Sequence, residues 1–201
     1  MRVHLVVVVT ILLLTYPALA NAQAAVDFDD LVTDTNYYVG DTFVSNGIEI
    51  SLDALSSTYL SGHCTIISDG YACGSGNEAW TGNVMLHFGF GSISGLSLLF
   101  GNYGGYTKVE VNGDTQKIYN MLDLDGVQIG GVNASVTQSA LTGNVHGCLT
   151  LSGPISSFGI GGQEFAIDNV TEVPEPSTAL SLVTICSALL GISKMRRRHV
   201  L

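Results

Sequence analysis

The chain has 201 residues, of which 12% are charged and 24 are glycine, a composition that favours strands and turns. Between residues 21 and 173 there are 16 acidic residues, and the only bases are Lys108 and Lys117. Such a surface repels phosphates and anionic membranes, which argues against a nucleic-acid-binding protein and leaves cations or neutral partners such as glycans.

The first 22 residues predict a signal peptide. Arg2 precedes an apolar run over 5–14, which is too short to span a bilayer. Pro17 and the small residues of 18–22 follow, and they predict cleavage after Ala20 or Ala22. Residues 1–22 are therefore expected to direct the chain through the Sec translocon into an oxidising compartment.

Residues 23–172 predict one all-β domain, because short segments alternate between apolar and polar residues and are separated by glycine turns. Asn112-Gly113-Asp114 indicates a hairpin turn, with a return strand near 117–119. No helical periodicity of useful length occurs before residue 177, so we expect an antiparallel, jelly-roll-like β-sandwich. The predicted strands are 26–31, 37–43, 47–52, 84–90, 94–100, 107–111, 117–119, 127–129, 132–137, 145–151, 155–160 and 164–170.

Cys64 and Cys73 flank a segment that reads as a tight hairpin with its turn near Asp69-Gly70. With Ser68 and Asp69 as the loop residues the two cysteines lie directly opposite, whereas with Asp69 and Gly70 they are offset. We favour a Cys64–Cys73 disulfide. Cys148 is then unpaired, and no cysteine or histidine spacing indicates zinc.

Four acids are candidate calcium ligands, because the first and last strands of such a sandwich commonly lie side by side. Calcium takes six to eight oxygen ligands, mostly carboxylate and carbonyl. The alternative is that these acids form the solvent side of alternating strands, or that one of them caps a turn. The four residues are Asp29, Asp30, Glu49 and Asp168. No other cofactor is expected.

Aromatic residues in glycine-containing loops are candidate carbohydrate contacts, since exposed rings stack on sugars. The candidates are Trp80, Tyr103 and Tyr106, and the alternative for each is packing in the core or at an edge. A hydrolase would need facing carboxylates or a nucleophile with its base. The aspartates at 27, 29, 30, 34 and 41 and the histidines at 63, 87 and 146 show no such pattern.

The segment 173–201 predicts a membrane anchor with a processing motif. Pro174-Glu175-Pro176 holds the chain extended, and no charge occurs from 177 to 193. As a helix this run spans roughly 25 Å, a minimal crossing of a hydrocarbon core of about 30 Å. Basic residues follow at Lys194, Arg196, Arg197 and Arg198, and they are expected to remain cytoplasmic.

These three parts in this order resemble the PEP-CTERM sorting signal of Gram-negative bacteria, with the motif at 174–176, a helix at about 178–193 and a basic end at 194–198. The resemblance implies an exosortase-type membrane transpeptidase that cuts near the motif and discards the helix. Residues 28–31, 40–43 and 153–170 also look like the opening and closing strands of exported PEP-CTERM proteins, and loosely like galactose-binding-type jelly rolls.

Three functions follow, in order of preference. The first is a non-enzymatic surface or extracellular-matrix protein, anchored in the inner membrane before processing and then exposed at the cell surface or released, where polysaccharide is a candidate partner. The second is a secreted carbohydrate-binding module. The third is a secreted hydrolase.

Overall fold

The computed structural model describes residues 25–140, 143 and 145–173. The predicted signal peptide, the Pro-Glu-Pro motif, the helix at 178–193 and the basic residues after it lie outside the described residues. Within the described ranges, no helix is long and apolar enough to cross a membrane.

The described chain is built of antiparallel strands, which confirms the all-β prediction. A 3-10 turn, Met121–Leu124, lies among these strands. The strands are β1 (Ala25–Val26), β2 (Asn36–Tyr38), β3 (Thr42–Ser45), β4 (Ile48–Ala54), β5 (His63–Ile67), β6 (Glu78–Gly82), β7 (Val84–Phe88), β8 (Ile93–Val111), β9 (Asp114–Ile118), β10 (Gln128–Ile129), β11 (Val132–Gln138), β12 (His146–Ile155) and β13 (Phe158–Glu172).

Two long strands, β8 and β13, connect the sheet from one end to the other. They pair with each other from Val111 opposite Phe158 to Leu96 opposite Glu172, with register shifts around residues 162–165. Beyond that break, β9, β7, β4 and β3 extend one half of the sheet. The strands β10, β11 and β12 and the strands β6, β5 and β2 extend the other half on its two sides. The register shifts allow one pair of strands to serve both halves, because bulges bend and twist a ladder.

One hydrophobic cluster draws buried side chains from both halves of the sheet, so the two halves share a core. Phe100 of β8 and Phe165 of β13 are fully buried and stack with their ring centroids 6.0 Å apart. Burial of each such side chain is worth about 1.5–3 kcal/mol. In β11 the alternating burial places Val132, Ala134 and Val136 in this core, as the sequence pattern predicts.

The predicted hairpin at residues 112–114 is confirmed. Asn112 and Gly113 have φ angles of 53° and 81°, and Val111 pairs directly with Asp114. Both central residues of a two-residue hairpin loop need positive φ, and Asn-Gly is the pair that adopts it most readily. The return strand, β9, begins three residues earlier than predicted.

The predicted strand at 26–31 is wrong beyond Val26. Phe28 has a left-handed φ of 59°, and its carbonyl accepts a hydrogen bond from the Leu31 amide, so the chain turns there. Phe28 is nevertheless fully buried. An alternating pattern cannot distinguish a strand from a turn that buries one of its alternate residues.

The predicted Cys64–Cys73 disulfide is also wrong, because the segment is not a tight hairpin. Cys64 lies in β5 opposite Thr81 of β6, whereas Cys73 lies within the ten-residue loop 68–77 that joins the two strands. Both residues are thiols. Complete burial raises the pKa of Cys64 to about 12, which keeps its sulfur protonated.

Residues 68–77, which we call the covering loop, fold over the outer face of the sheet. Glu78 is buried, and its carboxylate accepts hydrogen bonds from the backbone N–H groups of Tyr71 and Ala72 at 2.5 and 2.6 Å. The loop backbone comes so near β8 that a Cβ at Gly101 would lie 1.8 Å from the Tyr71 carbonyl oxygen. The absence of a side chain at Gly101 therefore allows the covering loop to pack against β8.

Gly101→Ala should displace the covering loop and lower the free energy of unfolding by about 1–3 kcal/mol, the usual cost of overpacking a close contact. Gly91→Ala is the matched control, because a Cβ at Gly91 meets no atom within 4 Å. Urea unfolding of both variants measures the difference. Equal midpoints for the two would contradict the seating of the loop on Gly101.

Candidate functional site

Three aromatic rings cluster at the covering loop and form what we call the aromatic patch: Tyr71, Trp80 and Tyr103. The ring centroids of Tyr71 lie 5.0 Å from Trp80 and 5.1 Å from Tyr103, and Trp80 lies 5.4 Å from Tyr103. Tyr71 and Tyr103 are 38% and 37% exposed, so the patch is partly open to solvent. Spacings of 4.5–7 Å with tilted planes are those that aromatic pairs prefer.

Strand register explains where the patch lies. Trp80 of β6 is opposite Ala166 of β13, Ala166 is opposite Gly101 of β8, and Gly101 is opposite His146 of β12. The two central positions of this row are Ala166 and Gly101, whose small size leaves room for the aromatic rings on this face of the sheet. Gly101 lies beneath both Tyr71 and Tyr103, since a Cβ there would be 2.8 Å from the Tyr103 ring.

Tyr103 connects the patch to His146. Its hydroxyl donates to the Tyr71 carbonyl oxygen at 3.0 Å and also contacts His146 Nε2. Because the hydroxyl has one proton, Nε2 is the donor in the second contact, and Nδ1 of the neutral imidazole is then an acceptor. Burial, with smaller contributions from Cys73, Glu78 and Tyr71, raises the pKa of Tyr103 to about 12, so the phenol stays protonated.

Tyr106 does not join the patch. It is 7% exposed and packs against Tyr59 and Tyr119 with centroid distances of 6.5 and 6.2 Å. The Lys117 ammonium lies 4.0 Å above its ring. The structure therefore brings together two of the three predicted carbohydrate contacts, Trp80 and Tyr103, and places the third in a separate aromatic group.

Two clefts open beside Tyr103 and His146, and Gln138 lines both. The first cleft has a volume of about 440 Å³ and the second about 410 Å³. No Asp, Glu, Lys or Arg is among the described residues that line them. The first is lined by Asn102, Tyr103, Gly104, Gly105, Tyr119, Asn120, Gln138, Gly143 and Val145, and the second by Cys73, Leu99, Thr137, Gln138, Ser139, His146, Gly147 and Cys148.

Two buried acceptors at these clefts lack a hydrogen-bond partner in the described part of the chain. They are the Gln138 side-chain oxygen Oε1 and His146 Nδ1. A buried polar atom without a partner costs about 1–3 kcal/mol, and in a native structure it commonly indicates a water or ligand that completes the site. Both atoms accept rather than donate, so they are suited to hydroxyl groups.

The four predicted calcium ligands do not form one site, although Asp29 lies near enough to Asp168 to raise the pKa of that carboxyl. Asp29 accepts a hydrogen bond from the Asn77 amide, and Asp30 accepts from the Ser45 hydroxyl and the Asn46 amide. Glu49 lies in β4 opposite Val44. Within residues 25–140, 143 and 145–173, no group of three or more His, Cys, Asp or Glu side chains is arranged to hold a metal. Calcium binding stays a prediction.

Asp168 lies beneath the covering loop and is 1% exposed. Its carboxylate accepts from the Asn169 backbone amide at 2.6 Å and from the Asn169 side-chain amide at 3.0 Å. Burial raises its pKa from 3.8 to about 7, opposed by the Asn169 hydrogen bond and reinforced by Glu78, Asp29 and Asp27. The loop is close above it, since a Cβ at Gly74 would lie 1.4 Å from Asp168 Oδ2.

No Asp or Glu is among the described residues that line either cleft. His87 lies 3.3 Å from Asp53, an exposed contact on the other half of the sheet. The hydrolase alternative stays a prediction without a site to carry it.

Sequence reasoning missed Tyr71, Tyr119 and Gln138. Tyr71 lies in a segment interpreted as a hairpin, so its role depends on the loop conformation. Tyr119 and Gln138 are separated by about twenty residues and meet at the first cleft only through the pairing of β8 with β12 and of β12 with β11. No local signal in the sequence marks either residue.

No protein-family model matches this chain, and the comparison with curated proteins finds no match either.

Asp168→Asn should remove a pH dependence of stability. Because the pKa of Asp168 is raised in the folded state, Asp168 keeps its proton in the folded protein at pH values at which the unfolded chain has lost it. The free energy of unfolding therefore falls as the pH rises from about 4 to about 7. Above pH 7 the variant should be more stable than the parent by on the order of 2–4 kcal/mol, from about three pKa units.

Thermal unfolding between pH 4 and 8 measures this dependence. Asp69→Asn is the control, because Asp69 is an exposed aspartate in the same loop. The assignment is refuted if the parent and Asp168→Asn show the same slope with pH.

Proposed function

We propose that this chain is an exported, non-enzymatic surface or extracellular-matrix protein that is processed at a PEP-CTERM-type signal. The observation that carries the proposal is the succession of Pro174-Glu175-Pro176, an uncharged run over 177–193 and the basic residues 194–198. The predicted signal peptide at 1–22 likewise supports export of the chain across the inner membrane. An exosortase-type transpeptidase and the Sec translocon are the partners, and the inner membrane holds the chain before cleavage.

The described domain supports this assignment in two ways. Strand β13 ends at Glu172, so the motif begins directly after the last element of the β domain. The described residues that line the clefts include aromatic and amide side chains suited to binding and no Asp, Glu, Lys or Arg. We also propose that the two halves joined by β8 and β13 are a jelly-roll-like sandwich, a fold on which binding surfaces are common.

A second candidate, a carbohydrate-binding module, is favoured by the aromatic patch. Partly exposed rings at fixed spacing offer hydrophobic faces to sugars at a small cost in side-chain entropy. A module of this kind and a surface protein are compatible, since an exported chain that binds polysaccharide remains in a polymer layer. Binding of glycans by the purified chain decides this candidate.

The exported form should lack the residues after the motif when an exosortase is present in the host. Intact-mass spectrometry of the full-length chain expressed in such a host should find a mass without Arg196, Arg197 and Arg198. Replacement of Glu175 by Ala should retain them, because the enzyme then loses the acid between the two prolines. Glu172→Ala, an acid just before the motif, is the control and should be processed normally.

Retention of the basic residues by the parent chain in an exosortase-positive host would refute processing. Equal processing of Glu175→Ala and the parent would refute the role of the motif.

A further inference from the structure

We propose that the first cleft binds a neutral sugar unit between Tyr103 and Tyr119, an inference that rests on the carbohydrate-binding candidate. The inference names the chemistry of the ligand and assigns contacts that lie outside the aromatic patch. It depends on three features of the cleft: its lack of charge, its two exposed rings and its unpaired amide groups.

The charge of the lining selects against ions. The chain carries a net charge of −10, yet no Asp, Glu, Lys or Arg is among the described residues that line the first cleft. An anionic sugar would be repelled by the protein as a whole. The Lys117 ammonium, 5.5 Å from the Tyr119 ring centroid, already lies over the ring of Tyr106. A cation would find no carboxylate among the described lining residues, although Glu164 Oε2 lies beside Gly104. The ligand that fits is uncharged.

Two aromatic rings lie at this cleft. Tyr103 is 37% exposed and Tyr119 is 68% exposed. Tyr119 is nevertheless held in place, since its ring meets Tyr106 edge-on at 6.2 Å and the Lys117 ammonium lies 5.5 Å from its centroid. A ring already fixed in one orientation loses little entropy when a sugar stacks on it. This accounts for a large aromatic side chain left exposed outside any core.

The amide groups supply polar contacts of both kinds. Asn102 makes no side-chain hydrogen bond within the described residues, and Gln138 Oε1 is an unpaired acceptor. Asn120 Oδ1 accepts a hydrogen bond from the Leu122 backbone amide, so the side-chain NH₂ group of Asn120 is left as a donor. Hydroxyl groups both donate and accept, so a polyol can satisfy these amides together. At about 440 Å³ the cleft lies within the usual range of small-ligand sites.

The experiment uses the purified full-length chain and two kinds of probe, neutral hexose polymers (dextran, a galactan and a soluble β-glucan) and the uronic-acid polymer alginate. Affinity electrophoresis and calorimetry measure binding. We expect at least one neutral polymer to bind and alginate not to bind. Tyr119→Ala and, separately, Gln138→Leu should weaken that binding by about tenfold or more, whereas Tyr119→Phe should retain it.

Tyr38→Ala is the matched control, because Tyr38 is a 56% exposed tyrosine of β2 that lines neither cleft. Tyr71→Ala removes a ring of the patch that does not line the first cleft. If a neutral polymer binds and only Tyr71→Ala weakens it, the cleft inference is overturned while carbohydrate binding by the patch stands. Preferential binding of alginate also overturns the inference. If no polymer binds, both the cleft inference and the carbohydrate-binding candidate fail, and the sorting proposal is unaffected.

Discussion

The long ladder between β8 and β13 is the constraint on which the rest of the molecule depends. Every other described strand connects to one of these two, either directly or through one or two intermediate strands. The ladder joins residues more than forty positions apart, so it forms only after a large loss of chain entropy and cannot be replaced by local contacts. Phe100 of β8 and Phe165 of β13 stack on each other and pack into the same hydrophobic core.

The outer face of that ladder presents a harder physical problem, since two carboxyl groups are buried there. Glu78 is buried beneath the covering loop, where two backbone N–H groups of the loop donate to it, which offsets part of the loss of water. Asp168 accepts hydrogen bonds from Asn169, and burial raises its pKa to about 7. The covering loop is thus held by hydrogen bonds to one buried acid and lies directly over another. The position of Tyr71, and with it the aromatic patch, depends on those hydrogen bonds.

Local chemistry made some of this structure predictable. The Asn112-Gly113 turn followed from backbone sterics, and the alternation in β11 followed from a sheet with one buried face. The segment 63–82 was not predictable in the same way. It contains two strands, β5 and β6, joined by a ten-residue loop, and the Asp69-Gly70 signal within that loop suggested a shorter turn. The loop conformation is set by Glu78 and Gly101, residues that no local pattern connects.

The candidate site was also predictable only in part. The sequence predicts Trp80 and Tyr103 in glycine-containing loops, whereas the structure places them in the strands β6 and β8, with Tyr103 37% exposed. Which rings meet could not be anticipated, since Tyr103 and Tyr106 are only three residues apart and yet join different groups. The two residues lie at the register shifts between β8 and β13, where Gly105 has a left-handed φ of 69° and a Cβ would lie 2.2 Å from the Gln163 side-chain oxygen. Tyr103 therefore packs with Trp80 in one half of the sheet, and Tyr106 packs beside Met85 and Tyr59 in the other.

The irregular backbone at Gly104 and Gly105 also shapes the first cleft. Neither residue carries a side chain into the opening, and both lie where β8 passes from one half of the sheet to the other. Tyr119 and Asn120, which connect β9 to the 3-10 turn, and Gln138, the last residue of β11, also line the cleft, and none of them is Asp, Glu, Lys or Arg. The Lys117 ammonium of β9 is engaged with the rings of Tyr106 and Tyr119. A surface that is acidic overall repels anions from a distance, and the neutral lining then selects among what remains by shape and hydrogen bonding alone.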